Sequence, residues 1–202
     1  MGHVENAALA VVELSQQEHQ AHDEKGNVRR ADDQFRFGTI LHGVAQAVEK
    51  NLRNVQVLDP GNTEALADLE GKMDRVIVDA PCTGSGVWRR RPDAKWRLSP
   101  QMLEARLAEQ RAVLDQAAPL VKPGGRLLYI TCSVLPSENR DQVDALINRF
   151  PELSTVPWAP LWEQAAFSAA PPQSADRSAE TLLMTPRSFG TDGFFVSMLQ
   201  RK

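Results

Sequence analysis

The chain has 202 residues, of which 42% are hydrophobic and 24% charged, with a formal net charge of −3. These values indicate one soluble globular domain and exclude a surface that is basic throughout, so any nucleic-acid site must be local. No apolar run approaches the roughly 20 residues of a membrane span, and MGHVENAALAVVEL lacks the basic start and small-residue cleavage site of a signal peptide. We therefore expect a cytoplasmic protein that binds no membrane.

The first part of the chain alternates predicted helices with short apolar strands. Helical spacing of apolar residues and breaks at Gly, Pro and Asn define these elements. They are a helix over 4–20, a strand in VRRADD, a helix in FGTILHGVAQAVEKN, a strand in NVQVLD, a short helix in TEALADL and a buried strand in DRVIVDA.

The second part continues this alternation and then changes character. A helix is predicted over 100–121, beginning at Ser99 and Pro100 and ended by KPGG, followed by a strand in RLLYITCS. The next helix, SENRDQVDALINRF, has Ser137 as its expected cap. Residues 151–178 are predicted to be irregular, and ETLLMTP and GFFVSMLQ to form two antiparallel strands joined by RSFGTD. This order predicts an α/β fold with a mainly parallel sheet and an antiparallel C-terminal edge.

Polar side chains follow four of the predicted strands. In order they are Asp32 with Asp33, Asp59, Asp79 with Cys82, and Thr131 with Cys132 and Ser133. If the strands are parallel, all four groups lie at one edge of the sheet, where open α/β folds bind ligands. Carboxylates there suit a nucleoside, because they accept hydrogen bonds from ribose hydroxyls and adenine amines. The alternative is that these aspartates are turn formers or helix caps.

The two cysteines of the chain, Cys82 and Cys132, both follow apolar strands. A lone cysteine in such a position is usually a small buried hydrophobic residue. Two thiols are too few for a structural zinc site, and a cytosolic disulfide is uncommon. Together at one edge they could be a disulfide pair, a redox pair or a two-step covalent catalyst.

A basic segment follows Cys82 and is interleaved with aromatic residues. Its cations are Arg89, Arg90, Arg91, Lys95 and Arg97, and its aromatic residues are Trp88 and Trp96. The segment fits a strip that contacts phosphates and stacks on unpaired bases. The alternative is a solvated loop whose tryptophans pack against the domain.

Three segments, DAPCTGSGVWRRRPDAKW, PGGRLLYITCSVLPSEN and FGTDGFF, together resemble the Nop/Sun family of RNA cytosine-5 methyltransferases over roughly residues 25–200. KGNVRRADD is similar to the second cofactor strand of that family. The resemblance implies a single Rossmann-like methyltransferase domain over 1–202, with S-adenosylmethionine as cofactor and no metal. It also implies an RNA substrate, ribosomal rather than transfer RNA, methylated at carbon 5 of cytosine.

The resemblance also implies roles for individual residues. Cys132 would be the nucleophile, Cys82 the thiol that assists product release, and Asp79 a contact to both cofactor and target base. The residues implied to bind the cofactor are Asp32 at the ribose, Asp59 near the adenine, Asp79 and Pro81.

The chain departs from the family pattern at its start. The Gly-rich loop that cradles the methionine end of the cofactor is not present, and MGHVENAALAVVEL matches the helix expected after that loop. We therefore expect a domain that is truncated or degenerate at its N-terminus and binds S-adenosylmethionine weakly. The alternative function is a non-catalytic RNA-binding or scaffold module derived from such a methyltransferase. A thiol redox protein is disfavoured because the cysteines lack C-x-x-C spacing.

Overall fold

The computed structural model describes residues 9–12, 66–164 and 171–202, apart from the side chains of 9–12 and of residue 164. All described residues fall in one compact unit. The predicted strands that end at Asp32 and Asp59 lie outside the described residues, so those two aspartates remain predictions.

The described residues form strands and helices in an α/β order. The strands are β1 (Leu9–Val12), β2 (Met73–Asp79), β3 (Val121–Thr131), β4 (Leu153–Thr155), β5 (Thr181–Met184) and β6 (Phe194–Arg201). The helices are α1 (Pro92–Arg97), α2 (Pro100–Ala117), α3 (Arg140–Arg149), α4 (Trp158–Gln164) and α5 (Pro186–Phe189). None of the helices within the described ranges is both long enough and apolar enough to cross a bilayer.

The strands form one mixed sheet in the order β1-β2-β3-β6-β4, with β5 also paired to β6. β1, β2 and β3 run parallel to one another, whereas β6 is antiparallel to β3, β4 and β5. The predicted α/β class, with parallel strands followed by an antiparallel C-terminal part, is confirmed. Because β2 and β3 are adjacent and parallel, their carboxyl ends lie side by side.

The core explains why β2 and β3 are so apolar. Val76 and Val78 of β2 and Leu127 of β3 are completely buried. They belong to one hydrophobic cluster with residues of α2 and α3, including Leu114 and Leu146. Burying each such side chain contributes roughly 1.5–3 kcal/mol, so these two strands and two helices form a rigid support for the loops at the strand ends.

Helix α2 begins where the sequence predicts and ends earlier. The Ser99 side chain accepts a hydrogen bond from the Met102 amide at 3.2 Å, which is the geometry of an N-cap, and Pro100 occupies the first turn. The helix ends at Ala117, and β3 already begins at Val121, so KPGG lies inside the strand rather than at the helix end. There the strand register against β2 shifts, which accommodates the extra residues as an irregularity in the ladder.

Three other local predictions are wrong. Leu9–Val12 is a strand rather than part of a helix, because it pairs in parallel with Arg75–Val78, and this pairing overrides the helical spacing. The segment 151–178 contains β4 and α4 instead of being irregular throughout. Ser137 lies in a short 3₁₀ turn, and the residue at the start of α3 is Asn139, whose side chain does not cap the helix.

Candidate active site

The carboxyl ends of β2 and β3 bring the two thiols into contact. Asp79, the last residue of β2, pairs in register with Ile130 of β3. Cys82 lies three residues beyond the end of β2, and Cys132 directly follows β3. Their sulfur atoms are 3.3 Å apart, and neither cysteine forms a disulfide. The structure thus places both predicted catalytic cysteines at one point of the sheet edge.

The thiols and the nearby carboxylate differ in their surroundings. Cys82 and Cys132 are each 9% exposed, so they lie at the boundary between core and solvent. Asp79 is half-buried, and its carboxylate has no hydrogen-bond or ion-pair partner among the described residues. A half-buried carboxylate with unused acceptor capacity is suited to amine or hydroxyl donors of a ligand.

Two glycines allow three loops to meet beside the thiols. The Gly86 amide donates to the Cys132 carbonyl at 3.0 Å, and the Gly193 amide donates to the Gly86 carbonyl at 2.8 Å. A Cβ atom placed on Gly193 would lie only 2.7 Å from the Cα of Gly86 and 2.7 Å from Cγ1 of Val134. Glycine is therefore required where the loop before β6 crosses the loop that carries Cys82.

A completely buried carboxylate, Glu138, joins the two thiol-bearing loops. Its Oε1 accepts from the Thr83 amide at 2.7 Å and from Gln110 Nε2 at 3.1 Å. Its Oε2 accepts from the Thr83 hydroxyl at 2.6 Å and from the Ser133 hydroxyl at 2.5 Å. Sequence analysis missed Glu138, and the only sequence signal was its place in the PSEN segment after the Cys132 strand.

Further hydrogen bonds hold the turn that contains Glu138. The Tyr129 hydroxyl donates to the Glu138 carbonyl at 2.7 Å. Burial raises the pKa of Tyr129 well above its ordinary value, and the negative charges of Cys82 and Glu138 raise it further, so Tyr129 stays a neutral donor. Asn139 accepts from the Thr131 hydroxyl at 2.6 Å and donates to the Ser133 carbonyl at 3.0 Å.

The carbonyl of Pro81, one of the predicted cofactor contacts, accepts a hydrogen bond from Gln110 Nε2 at 2.8 Å, and Pro81 is buried. This bond attaches the Cys82 loop to α2.

Another acid missed by sequence analysis is Glu13, which follows β1 directly in the sequence. The predicted helix over this segment hid the pattern of an apolar strand followed by a carboxylate.

The basic segment contains both paired and exposed cations. Arg90 forms an ion pair with Asp192 at 2.5 Å, and Arg97 pairs with Asp93 at 2.8 Å. The Arg89 side chain, which is exposed, makes only a long 3.5 Å contact to the Gly190 carbonyl. Arg90 therefore holds the loop before β6 against the segment that follows Cys82, a role that sequence analysis did not foresee.

Two tryptophans and a lysine complete this surface. Lys95 Nζ lies 5.8 Å from the ring centroid of Trp88 and 5.4 Å from that of Trp96. Trp96 is 81% exposed, which is unusual for the largest apolar side chain. An exposed ring beside an ammonium group offers a stacking face with adjacent positive charge.

Comparison with known proteins decides the family. The family model described as 16S rRNA methyltransferase RsmB/F matches residues 33–200. The chain belongs to this family. RsmB/F proteins similar to it include a probable ribosomal RNA small subunit methyltransferase B of Bacillus subtilis strain 168, 40% identical over 88% of this chain. The corresponding Salmonella newport strain SL254 protein is 47% identical over 41% of this chain.

Solved structures agree with this membership. The match to the crystal structure of PH0851 covers 85% of this chain and 36% of the PH0851 chain, with 31% identity and a TM-score of 0.66. NSun6 from Pyrococcus horikoshii, described with SFG, an analogue of S-adenosylmethionine, matches 80% of this chain and 38% of its own, with 25% identity and a TM-score of 0.61. The RsmB/F chain spans 38% of the Bacillus relative and 19% of the Salmonella one.

Proposed function

We propose that this chain carries the catalytic thiols of an enzyme that methylates carbon 5 of a cytosine in ribosomal RNA through a covalent cysteine adduct. The observation that carries the proposal is the 3.3 Å contact between Cys82 and Cys132 at the ends of adjacent parallel strands. Asp79 ends one of these strands, and its carboxylate has no partner within the part of the chain that the structure describes. Membership in the RsmB/F family supports ribosomal RNA as substrate class and S-adenosylmethionine as methyl donor.

The chemistry needs a nucleophile because carbon 5 of cytosine is itself poorly nucleophilic. In the proposal, the Cys132 thiolate forms a bond to carbon 6 of the base, and the displaced electron pair makes carbon 5 enamine-like. Addition of the thiolate places negative charge on the ring, and the Asp79 carboxyl group is proposed to donate a proton to the ring nitrogen and to take it back when the base is released. The target base must leave its stack to reach these groups, as in other enzymes that modify bases.

The second thiol serves the release step. After methylation, carbon 5 still carries its hydrogen, and Cys132 is still bonded to carbon 6. Cys82, in contact with the Cys132 sulfur, assists release by accepting that proton as a thiolate. The electron pair of the carbon–hydrogen bond reforms the carbon 5–carbon 6 double bond while the carbon–sulfur bond breaks. The release step therefore regenerates the Cys132 thiolate and restores the aromatic base.

The residues that the structure describes fit the nucleoside part of a methyl donor. Asp79 has free acceptor capacity at the carboxyl end of β2, which is where open sheets bind nucleosides. When bound, S-adenosylmethionine supplies an electrophilic methyl group. Asp32, Asp59 and Pro81 remain the other proposed cofactor contacts, and Glu13 is added because it follows β1.

RNA contact is assigned to the basic segment. The proposed phosphate contacts are Arg89, Arg90, Arg91, Lys95 and Arg97, and the exposed face of Trp96 is proposed to stack on an unpaired base. Arg90 and Arg97 already have carboxylate partners, so their contribution to RNA binding is expected to be smaller.

The test is methyl transfer to an unmodified 16S rRNA transcript with isotopically labelled S-adenosylmethionine, followed by digestion and mass analysis of the nucleosides. The proposal predicts label in cytidine methylated at carbon 5, and none with Cys132→Ala. Label in any other nucleoside would refute the cytosine assignment. RNA binding without transfer of label would favour the non-catalytic RNA-binding module.

A further inference from the structure

The thiol contact depends on two loops that contain little regular structure, a single 3₁₀ turn at Ser85–Val87. The Cys82 loop comprises residues 80–88, and the Cys132 loop comprises residues 132–135. The direct backbone link between them is the hydrogen bond from the Gly86 amide to the Cys132 carbonyl. The Ser85 hydroxyl of the Cys82 loop also bonds to the Ser133 hydroxyl at 2.9 Å and accepts from the Val134 amide at 2.9 Å. None of these contacts involves Thr83, the residue next to Cys82, so a further restraint at that point is needed to keep the two sulfur atoms 3.3 Å apart.

Glu138 supplies that restraint through donors from both loops. Thr83 of the Cys82 loop donates twice, through its amide and its hydroxyl, and Ser133 of the Cys132 loop donates once. Thr83 is the residue after Cys82, and Ser133 is the residue after Cys132. The same carboxylate therefore holds the neighbour of each thiol.

A third element fixes the carboxylate itself. Gln110 of α2, completely buried, donates from one Nε2 atom to both Glu138 Oε1 and the Pro81 carbonyl. Asn139, the residue after Glu138, binds Thr131 and the Ser133 carbonyl. The carboxylate is thus anchored to the helix behind the sheet, and the loops are anchored to the carboxylate.

The burial of Glu138 is poorly explained by stability alone. A buried carboxylate is costly to desolvate, and well-packed apolar side chains often give equal or greater stability in its place. Charge-assisted hydrogen bonds are shorter and stronger than neutral ones, and a carboxylate that accepts at both oxygens adds geometric specificity. We propose that Glu138 is a positioning residue that holds Cys82 and Cys132 in contact. This role rests on the proposed covalent mechanism for its catalytic meaning.

Catalysis gives a reason for such a restraint. One thiol must add to the base, and the second must reach the same ring while the first is bonded to it. Displacement of a catalytic group by about 1 Å can lower the rate by about 100-fold. A carboxylate that fixes both thiols at once keeps each of them within reach of the base during both steps.

Phenylarsine oxide provides a test that does not require methyl transfer. Its arsenic forms bonds to two thiols in contact, and the arsenic-bound oxygen leaves as water with the two thiol protons, without oxidation or reduction. Affinity is measured by competition with a small dithiol, at a temperature where each variant is fully folded. The wild-type chain should bind far more tightly than Cys82→Ala or Cys132→Ala, and equal binding by all three would overturn the proposal.

Variants of Glu138 and of a control residue distinguish a loss of thiol positioning from a general loss of stability in the folded chain. Glu138→Ala should lower arsenical affinity by about 10-fold or more, because the loops lose their common acceptor. Glu138→Gln should keep most of the affinity, since its amide oxygen still accepts and its NH₂ can donate to hydroxyls that rotate. The matched control is Ser174→Ala, which removes a buried hydroxyl bonded to Asp176 and the Leu183 amide rather than to either thiol loop, and should leave affinity unchanged.

Wild-type affinity in Glu138→Ala, or an equal loss in Ser174→Ala, would overturn the proposal. If Glu138→Ala does not fold, Ser133→Ala removes one donor from the carboxylate and must lower affinity in the same direction. Failure of the proposed function is distinguishable, because it would abolish methyl transfer in the wild-type chain while leaving the arsenical affinities as predicted here.

Discussion

The crossing of Gly86 and Gly193 gives a quantitative prediction for Gly86→Ala. An added Cβ would lie 2.7 Å from the Gly193 carbonyl carbon and 2.8 Å from its Cα, and both atoms belong to backbone that cannot rotate away. Overpacking of this kind costs typically 1–3 kcal/mol. The two backbone hydrogen bonds of Gly86, to Cys132 and Gly193, contribute about 0.5–1.5 kcal/mol each if lost.

The expected loss in the free energy of unfolding is therefore about 2–6 kcal/mol, reduced by about 0.4–1 kcal/mol because alanine restricts the unfolded chain. The matched control is Gly190→Ala. Gly190 has φ of 67° but no atom within 4 Å of an added Cβ, so only backbone strain of about 1–2 kcal/mol applies, with the same offset. Urea unfolding followed by tryptophan fluorescence measures both. A smaller loss in Gly86→Ala than in Gly190→Ala would refute the close crossing.

The other predictions concern RNA, cofactor and pH. Arg89→Ala with Lys95→Ala should flatten the salt dependence of RNA binding by about 0.7 per lost phosphate contact on a single strand, and an unchanged slope would identify a solvated loop. Trp96→Ala should weaken RNA binding by about 1–3 kcal/mol without lowering the free energy of unfolding, whereas Trp96→Phe should retain most of the affinity. Equal binding by the wild-type chain and both variants would exclude stacking. Equilibrium dialysis should show that Asp32→Ala weakens binding of labelled S-adenosylmethionine, because Asp32 is the proposed ribose contact; unchanged affinity would contradict that role. The pKa of Tyr129 is raised in the folded state, so the unfolded state loses its proton first as the pH rises. The free energy of unfolding should therefore fall by up to about 1.4 kcal/mol per pH unit above the ordinary value of 10.0. Tyr129→Phe should remove this slope.

Sequence periodicity was sufficient for elements whose burial pattern is strong. The valines of β2 and the capped start of α2 define these elements locally, and the strand pair β5 and β6 follows from two apolar runs with a turn between them. Leu9–Val12 was misread because four residues of Leu, Ala and Val fit both a helix and a strand, and pairing with β2 decides between them.

The site was predictable as far as its thiols and no further. Cys82 and Cys132 could be placed at one edge because parallel adjacent strands end together. The burial of Glu138 could not be predicted, since a Ser-Glu-Asn segment at a predicted helix start normally indicates an exposed first turn. Two of its partners, Gln110 and Thr83, lie 28 and 55 residues away in the chain. The pairing of Arg90 with Asp192, 102 residues apart, is likewise a product of tertiary structure.

The most direct test of the covalent mechanism compares Cys132→Ala with Cys82→Ala on the same RNA and S-adenosylmethionine, resolved by denaturing electrophoresis. Cys132→Ala should give neither methylation nor any covalent protein–RNA species. Cys82→Ala should still attack and methylate the base, and then accumulate a covalent adduct because release fails. Adducts trapped only by Cys132→Ala would reverse the roles of the two thiols, and normal methylation without adducts in both variants would contradict the mechanism altogether.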